Sequence, residues 1–142
     1  MLLLIALAII VFAASFHAWW AVGGRLGHSV SLPQRPDGSP VMAERLPWWR
    51  PAAAAVALGL VFLALLLAAW SGRLPLPVPR AIARALLFAT GTAFVARALV
   101  PNPWVGFFKT ERTTRWARYD TRLYSPLFLL LGLILLWEAA RG

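Results

Sequence analysis

The chain has 142 residues, of which 61% are hydrophobic and only 13% charged, against roughly a quarter charged for an average soluble domain. A soluble fold of this length leaves too much of its surface in water to hide so much apolar area, so the composition fits a bilayer as solvent. There is no cysteine, which excludes disulfide frameworks, thiolate catalysis and cysteine-held metal centres. The formal charge of +9 falls between and at the edges of apolar runs, which points to anionic lipid headgroups and not to nucleic acid.

The first apolar run opens at Leu2. Its stretch to Ala14 has the length of a signal-peptide core, but no Lys or Arg precedes it, as such a peptide requires. The run continues through Trp19-Trp20-Ala21-Val22, long enough to span a bilayer, and is expected to be a retained helix over 2–22. The following loop, from Gly23 to Arg50, is rich in glycine and proline. A second span is expected over 52–70, reached through Pro47-Trp48-Trp49-Arg50-Pro51. The connector from Ser71 to Arg80, stiffened by Pro75, Pro77 and Pro79, leads to a third span over 81–100. Pro101-Asn102-Pro103 stops it.

The segment before the last span carries Arg115, Arg118 and Arg122 at helical spacing beside Trp116, Tyr119 and Leu123. This pattern predicts a short amphipathic helix lying on the membrane surface and holding anionic lipid. Ser125-Pro126 reads as a capping residue followed by proline at the first helical position, so the fourth span is expected over 125–139. None of these runs alternates apolar and polar residues as barrel strands do. The expected fold is therefore all-α: a single-domain bundle of four transmembrane helices with a short interfacial helix before the last.

Tryptophan placement agrees with that reading. All eight, namely Trp19, Trp20, Trp48, Trp49, Trp70, Trp104, Trp116 and Trp137, fall at or just beyond the expected span ends, where an indole keeps its ring in the apolar phase and its N–H in the wet one. Lys and Arg give the orientation. Arg25, Arg35, Arg45, Arg50, Lys109, Arg112, Arg115, Arg118 and Arg122 lie in the first and third connections, against Arg73, Arg80, Arg84 and Arg141 on the other side. The positive-inside rule then places loops 23–51 and 101–124 in the cytoplasm and both termini outside. Small residues four apart, Ala55 with Gly59 and Ala89 with Ala93, are expected to permit close helix contact.

Polar residues within or beside apolar spans are the informative ones. Consecutive spans run antiparallel, so His17, Arg25, His28, Arg97, Asn102, Asp120 and Tyr124 come to one membrane level. His17 reads either as a structural donor to a neighbouring helix or as a proton-transfer group. No second ligand stands at helical spacing from it, so no metal site is expected. Arg97 shares a helical stripe with Thr90 and Phe94, and either snorkels to the interface or pairs inward with Asp120. Asp120 reads either as that partner or as electrostatic support for a helix start. Glu111 is the competing acid, further out in a basic loop, and Glu138 with Arg141 reads as a solvated rim pair.

Two stretches resemble a known family. His17-Ala18-Trp19-Trp20-Ala21-Val22-Gly23-Gly24-Arg25 is the first. The second comprises Phe107-Phe108-Lys109 and Ala117-Arg118-Tyr119-Asp120-Thr121-Arg122-Leu123-Tyr124-Ser125-Pro126-Leu127, closing on Gly132. Together they resemble the domain-of-unknown-function 3995 family of small bacterial four-span membrane proteins, with His17, Trp20, Gly23, Gly24, Asp120, Tyr124, Ser125 and Pro126 on its characteristic positions. Trp116 and Phe128 depart from the pattern, where phenylalanine and cysteine are more usual. The resemblance implies a fold and a membrane location, and no activity.

The reading that follows is a bacterial inner-membrane protein that binds a lipid-like or other amphipathic molecule in a polar pocket at the cytoplasmic end. Trp20, Arg25, Arg97, Asn102 and Tyr124 would be its ligand-binding residues, and Arg115, Arg118 and Arg122 its lipid interface. Two rivals stand beside it. One is a membrane isomerase or cyclase with His17 and Asp120 as catalytic acid and base; the other is an accessory subunit of a larger membrane assembly. Homo-oligomerisation is open in each case, and no cofactor or metal is implied.

Overall fold

The structure, a computed structural model, describes residues 1–41, 48–75 and 78–142; Arg45, Pro47 and Pro77, named above, lie outside the described residues. The chain folds into helices α1 (Leu2–Ala21), α2 (Trp49–Trp70), α3 (Arg80–Leu99), α4 (Arg115–Tyr119) and α5 (Ser125–Arg141). A single turn of 3₁₀-helix, His28–Val30, lies in the first loop, and a π-helical turn, Asp120–Tyr124, joins α4 to α5. Four helical stretches are long and apolar enough to cross a membrane: Leu2–Ala21, Trp49–Trp70, Arg80–Leu99 and Arg115–Arg141. The multi-pass bundle expected from the sequence is the fold.

Lipid as solvent explains what the helices leave uncovered. Leu4, Phe12, Leu58, Phe88 and Leu133 are all exposed, although in water such a surface would drive aggregation. The buried core is a narrow seam made by Ile10 of α1, Leu66 and Leu67 of α2, Leu87 of α3 and Leu135 of α5. The main pairings are α1 with α2 and α3 with α5.

The α3–α5 pair is the tightest, because two glycines face each other. A Cβ on Gly91 would stand 2.9 Å from the Gly132 carbonyl oxygen, and one on Gly132 would stand 2.9 Å from the Gly91 oxygen. Backbones can approach this closely only where no side chain intervenes. The small residues expected to make such contacts do not make them: Ala55, Gly59, Ala89 and Ala93 are exposed.

The cap expected at the start of the last helix is also corrected. Ser125 does not cap a helix. It is fully buried inside a continuous helical stretch whose N-cap is Thr114, the hydroxyl of which accepts from the Ala117 N–H. A proline inside a helix lacks the N–H for the i−4 carbonyl and crowds it. Here the π turn before Pro126 widens the ladder, and the Ser125 N–H reaches back to the Asp120 carbonyl, which absorbs the irregularity. The amphipathic segment is thus the first turn of the last helix. Arg115, Arg118 and Arg122 are exposed as expected, Trp116 is buried and Tyr119 is not.

At the far end of the bundle the Trp70 indole donates to the Glu138 carbonyl at 3.1 Å, and the Arg80 guanidinium lies over the Trp70 ring at 4.6 Å. Glu138 and Arg141 form the expected rim pair, at 3.8 Å.

Candidate functional site

Where α3 ends, the chain must turn and come back to α4. Gly106 makes this possible: it adopts φ +86°, and a Cβ there would stand 2.8 Å from the Ala98 carbonyl oxygen. The turn lies directly on the end of α3, fastened by the Phe107 N–H to the Ala98 carbonyl at 2.8 Å. It aims the Gly106 N–H at Asp120 Oδ2, 2.9 Å away.

Asp120 is the centre of the site and is fully buried. Its Oδ1 accepts from Arg97 Nη2 at 2.6 Å; its Oδ2 accepts from Lys109 Nζ at 2.9 Å, from Ser125 Oγ at 3.1 Å and from the Gly106 N–H. Four donors thus converge on one carboxylate, three of them on Oδ2. Lys109 is equally enclosed, with 2% of its surface exposed. Its ammonium donates to the Gly106 carbonyl at 2.8 Å, to Asp120, and to Thr121 Oγ1 at 2.7 Å, which uses all three of its donors. The two charges neutralise each other and fasten the loop to the π turn.

Arg97 closes the cluster from α3. Besides Asp120 it donates to Ser125 Oγ at 3.3 Å, and its guanidinium lies over the Phe128 ring at 4.3 Å. Its side chain keeps 21% of its surface exposed. Of its two expected fates, inward pairing with Asp120 is the one observed. The competing acid, Glu111, turns back on its own loop instead. The Thr113 hydroxyl and backbone N–H both donate to its carboxylate and hold it below the usual carboxylate range.

The other polar residues singled out in the sequence do different work. Tyr124 donates to the Val30 carbonyl at 3.0 Å with its ring against Trp116, which fastens the first loop to the last helix. Gln34 does the same, accepting from the Trp116 N–H and donating to the Ser29 carbonyl. Trp20 donates to the Leu26 carbonyl, and Asn102 accepts from the Trp104 and Val105 N–H groups, each shaping its own loop. His17 Nδ1 lies 2.8 Å from the Ala13 carbonyl of its own helix, one turn back, and its ring meets Trp20 edge-on. The expected neighbouring-helix partner is therefore replaced by an intrahelical one. Arg25 is exposed. His28 packs edge-on against Trp49 and leaves Nε2 buried without a hydrogen-bond partner among the described residues.

Two residues of the site were given no part in it by the sequence reading. Apart from their place in the resembling stretches, Lys109 counted there only as loop charge, and Ser125 only as a cap. Nothing in its local sequence set Lys109 apart from the other cations of the loop. Among the described residues, no group of three or more His, Asp or Glu side chains is placed to hold a metal ion.

Beside the cluster runs an apolar groove between α2 and α3, which pack on each other less than either packs on its main partner. Val56, Gly59 and Leu63 line one wall and Leu86, Thr90 and Phe94 the other, around a cavity of about 280 Å³. Phe94 meets Phe128 edge-on at 5.1 Å, and Phe128 is the ring beneath Arg97. The groove therefore ends one turn of α3 short of the guanidinium.

The model of a family described as a protein of unknown function, DUF3995, matches residues 3–135. The chain belongs to DUF3995. The match reaches all four spans, the last as far as Leu135, and takes in both motif stretches and the whole Asp120 cluster, so the cluster lies within the DUF3995 region. Curated proteins give no match, and neither do solved structures.

Proposed function

We propose that the protein binds an amphipathic, lipid-like molecule with its chain in the α2–α3 groove and its polar end level with Arg97. The observation that carries this reading is an apolar groove that ends at Phe94, whose ring meets Phe128 beneath the partly exposed Arg97 guanidinium. Ligand sites are mostly apolar clefts with a few placed polar groups, and a cleft open to lipid fills with chains. This reading takes a lateral groove as the chain site beside the polar cluster at the loop end, where Trp20, Asn102 and Tyr124 bond within and between the loops.

The enzyme reading fares worse on the same geometry. A general base must reach the proton it takes, whereas Asp120 is fully buried behind the groups that donate to it. Exposed Arg115, Arg118 and Arg122 complete the picture as a basic belt for anionic headgroups. The location that fits is a bacterial inner membrane, with loops 23–51 and 101–124 cytoplasmic and both termini outside.

A fatty acid bearing a mid-chain diazirine tests the reading. After irradiation, the label is expected on peptides from 56–66 and 86–94; label scattered evenly over the exposed faces of α1 and α5 would overturn it.

A further inference from the structure

The charges in the Asp120 cluster do not balance. Arg97 and Lys109 are two cations around one anion, and among the described residues no other acid pairs with either. Among the described residues the cluster therefore carries one excess positive charge, and of its two cations only Arg97, with 21% of its side chain exposed, can present that charge outward. Excess positive charge bordering an apolar phase is costly unless an anion meets it.

We infer that Arg97 holds a singly charged oxyanion, a carboxylate or a phosphate monoanion, carried at the end of the chain that lies in the groove. This rests on the binding reading above and names the class of ligand. Among the described residues, Asp120 and Ser125 engage one N–H on each terminal nitrogen, and a guanidinium has five in a planar fork. Phe128 fixes the plane of that fork from one face, and an oriented fork takes the paired oxygens of an oxyanion better than a point charge does. The groove residue nearest it, Phe94, precedes Arg97 by one turn on the same stripe, so a head at Arg97 continues the line of a chain along Thr90 and Phe94. A cationic head would meet Arg97 with like charge, and a neutral one would leave the surplus uncompensated.

The test uses the full chain in a neutral detergent. Competition against the diazirine fatty acid is measured for dodecanoate, dodecyl phosphate, dodecanol and dodecyltrimethylammonium, and for acetate and inorganic phosphate as free anions. Dodecanoate and dodecyl phosphate should compete about tenfold better than dodecanol, which is roughly what one charge-assisted hydrogen bond contributes. The cation and the free anions should compete least. In Arg97→Gln dodecanoate and dodecyl phosphate should lose their advantage over dodecanol, and in Arg97→Lys part of it should remain. Equal competition by dodecanol and dodecanoate in the unaltered protein, a result that needs no variant to fold, would overturn the head assignment and leave the groove standing. Equal competition by acetate or phosphate would detach the anion from the chain and overturn it as well. If none of the amphiphiles competes, and Gly59→Leu leaves labelling unchanged, the groove reading itself has failed.

Discussion

Lys109 and Asp120 meet at 2.9 Å with neither side chain more than 1% exposed, which makes a loop lysine one of the most enclosed residues in a membrane protein. The pair does what a longer apolar loop would otherwise have to do. It ties the return of the chain after α3 to the π turn that opens the last span, and in doing so it aligns Arg97.

The members of the cluster should differ in cost. Asp120→Asn leaves two cations facing each other, whereas Lys109→Met leaves Arg97 and Asp120 as a neutral pair. Removing one partner of a buried pair costs about 3–5 kcal/mol, so both variants should melt earlier in detergent, Asp120→Asn by more. The double variant should lose less than the two losses added. A larger loss for Lys109→Met, or strict additivity, would mean that the charges are not coupled.

Gly106→Ala should unfasten the turn. Its φ of +86° and the nearby Ala98 oxygen both oppose a side chain, and the backbone conformation alone costs about 1–3 kcal/mol for other residues. Hydrogen exchange at the Phe107 amide reads this directly. Protection is expected in the unaltered protein, and exchange at least tenfold faster in the variant, as about 1.4 kcal/mol implies. Unchanged protection would place the bond to Ala98 outside the clasp.

Glycines in the spans should divide by contact. Gly91→Ala and Gly132→Ala each drive a methyl into the facing backbone and should cost about 1–3 kcal/mol by overpacking. Gly59→Ala meets nothing within 4 Å and should gain up to about 1 kcal/mol from helix propensity. Thermal unfolding of the three variants in one detergent decides it; similar behaviour of all three would argue against the Gly91–Gly132 crossing.

Much of this was legible in the sequence. Continuous apolar runs give four spans because a bilayer tolerates few alternatives, and the helices observed agree with the expected ones within a few residues. The cap was the error: Ser125-Pro126 carries the local chemistry of a cap but sits behind a π turn, a device without a sequence signature. Arg97 with Asp120 could be foreseen because both are polar residues at one membrane level, and antiparallel helices bring them together. Lys109 could not, since in a chain with fourteen Lys and Arg the topological charges mask a structural one. Small-residue spacing misled for a related reason: Ala55 with Gly59 and Ala89 with Ala93 have the right period but face lipid, while Gly91 and Gly132 are single residues on different helices.

Orientation has its own test. The chain lacks cysteine, so Pro36→Cys and Ser71→Cys, both at exposed positions on opposite ends of the bundle, report without background. In intact cells a membrane-impermeant thiol reagent should label position 71 and spare position 36. The reverse pattern would invert the proposed topology.

The central claim, that the α2–α3 groove carries an anionic amphiphile, is tested most directly by native mass spectrometry of the gently extracted protein beside Gly59→Leu. A side chain at position 59 enters open space and fills the groove without touching the Asp120 cluster. The unaltered protein should retain an adduct that releases an anionic, single-headed lipid-like molecule on activation, and Gly59→Leu, equally stable, should lose most of it. The same adduct on both proteins, or only zwitterionic lipid on either, would contradict the account.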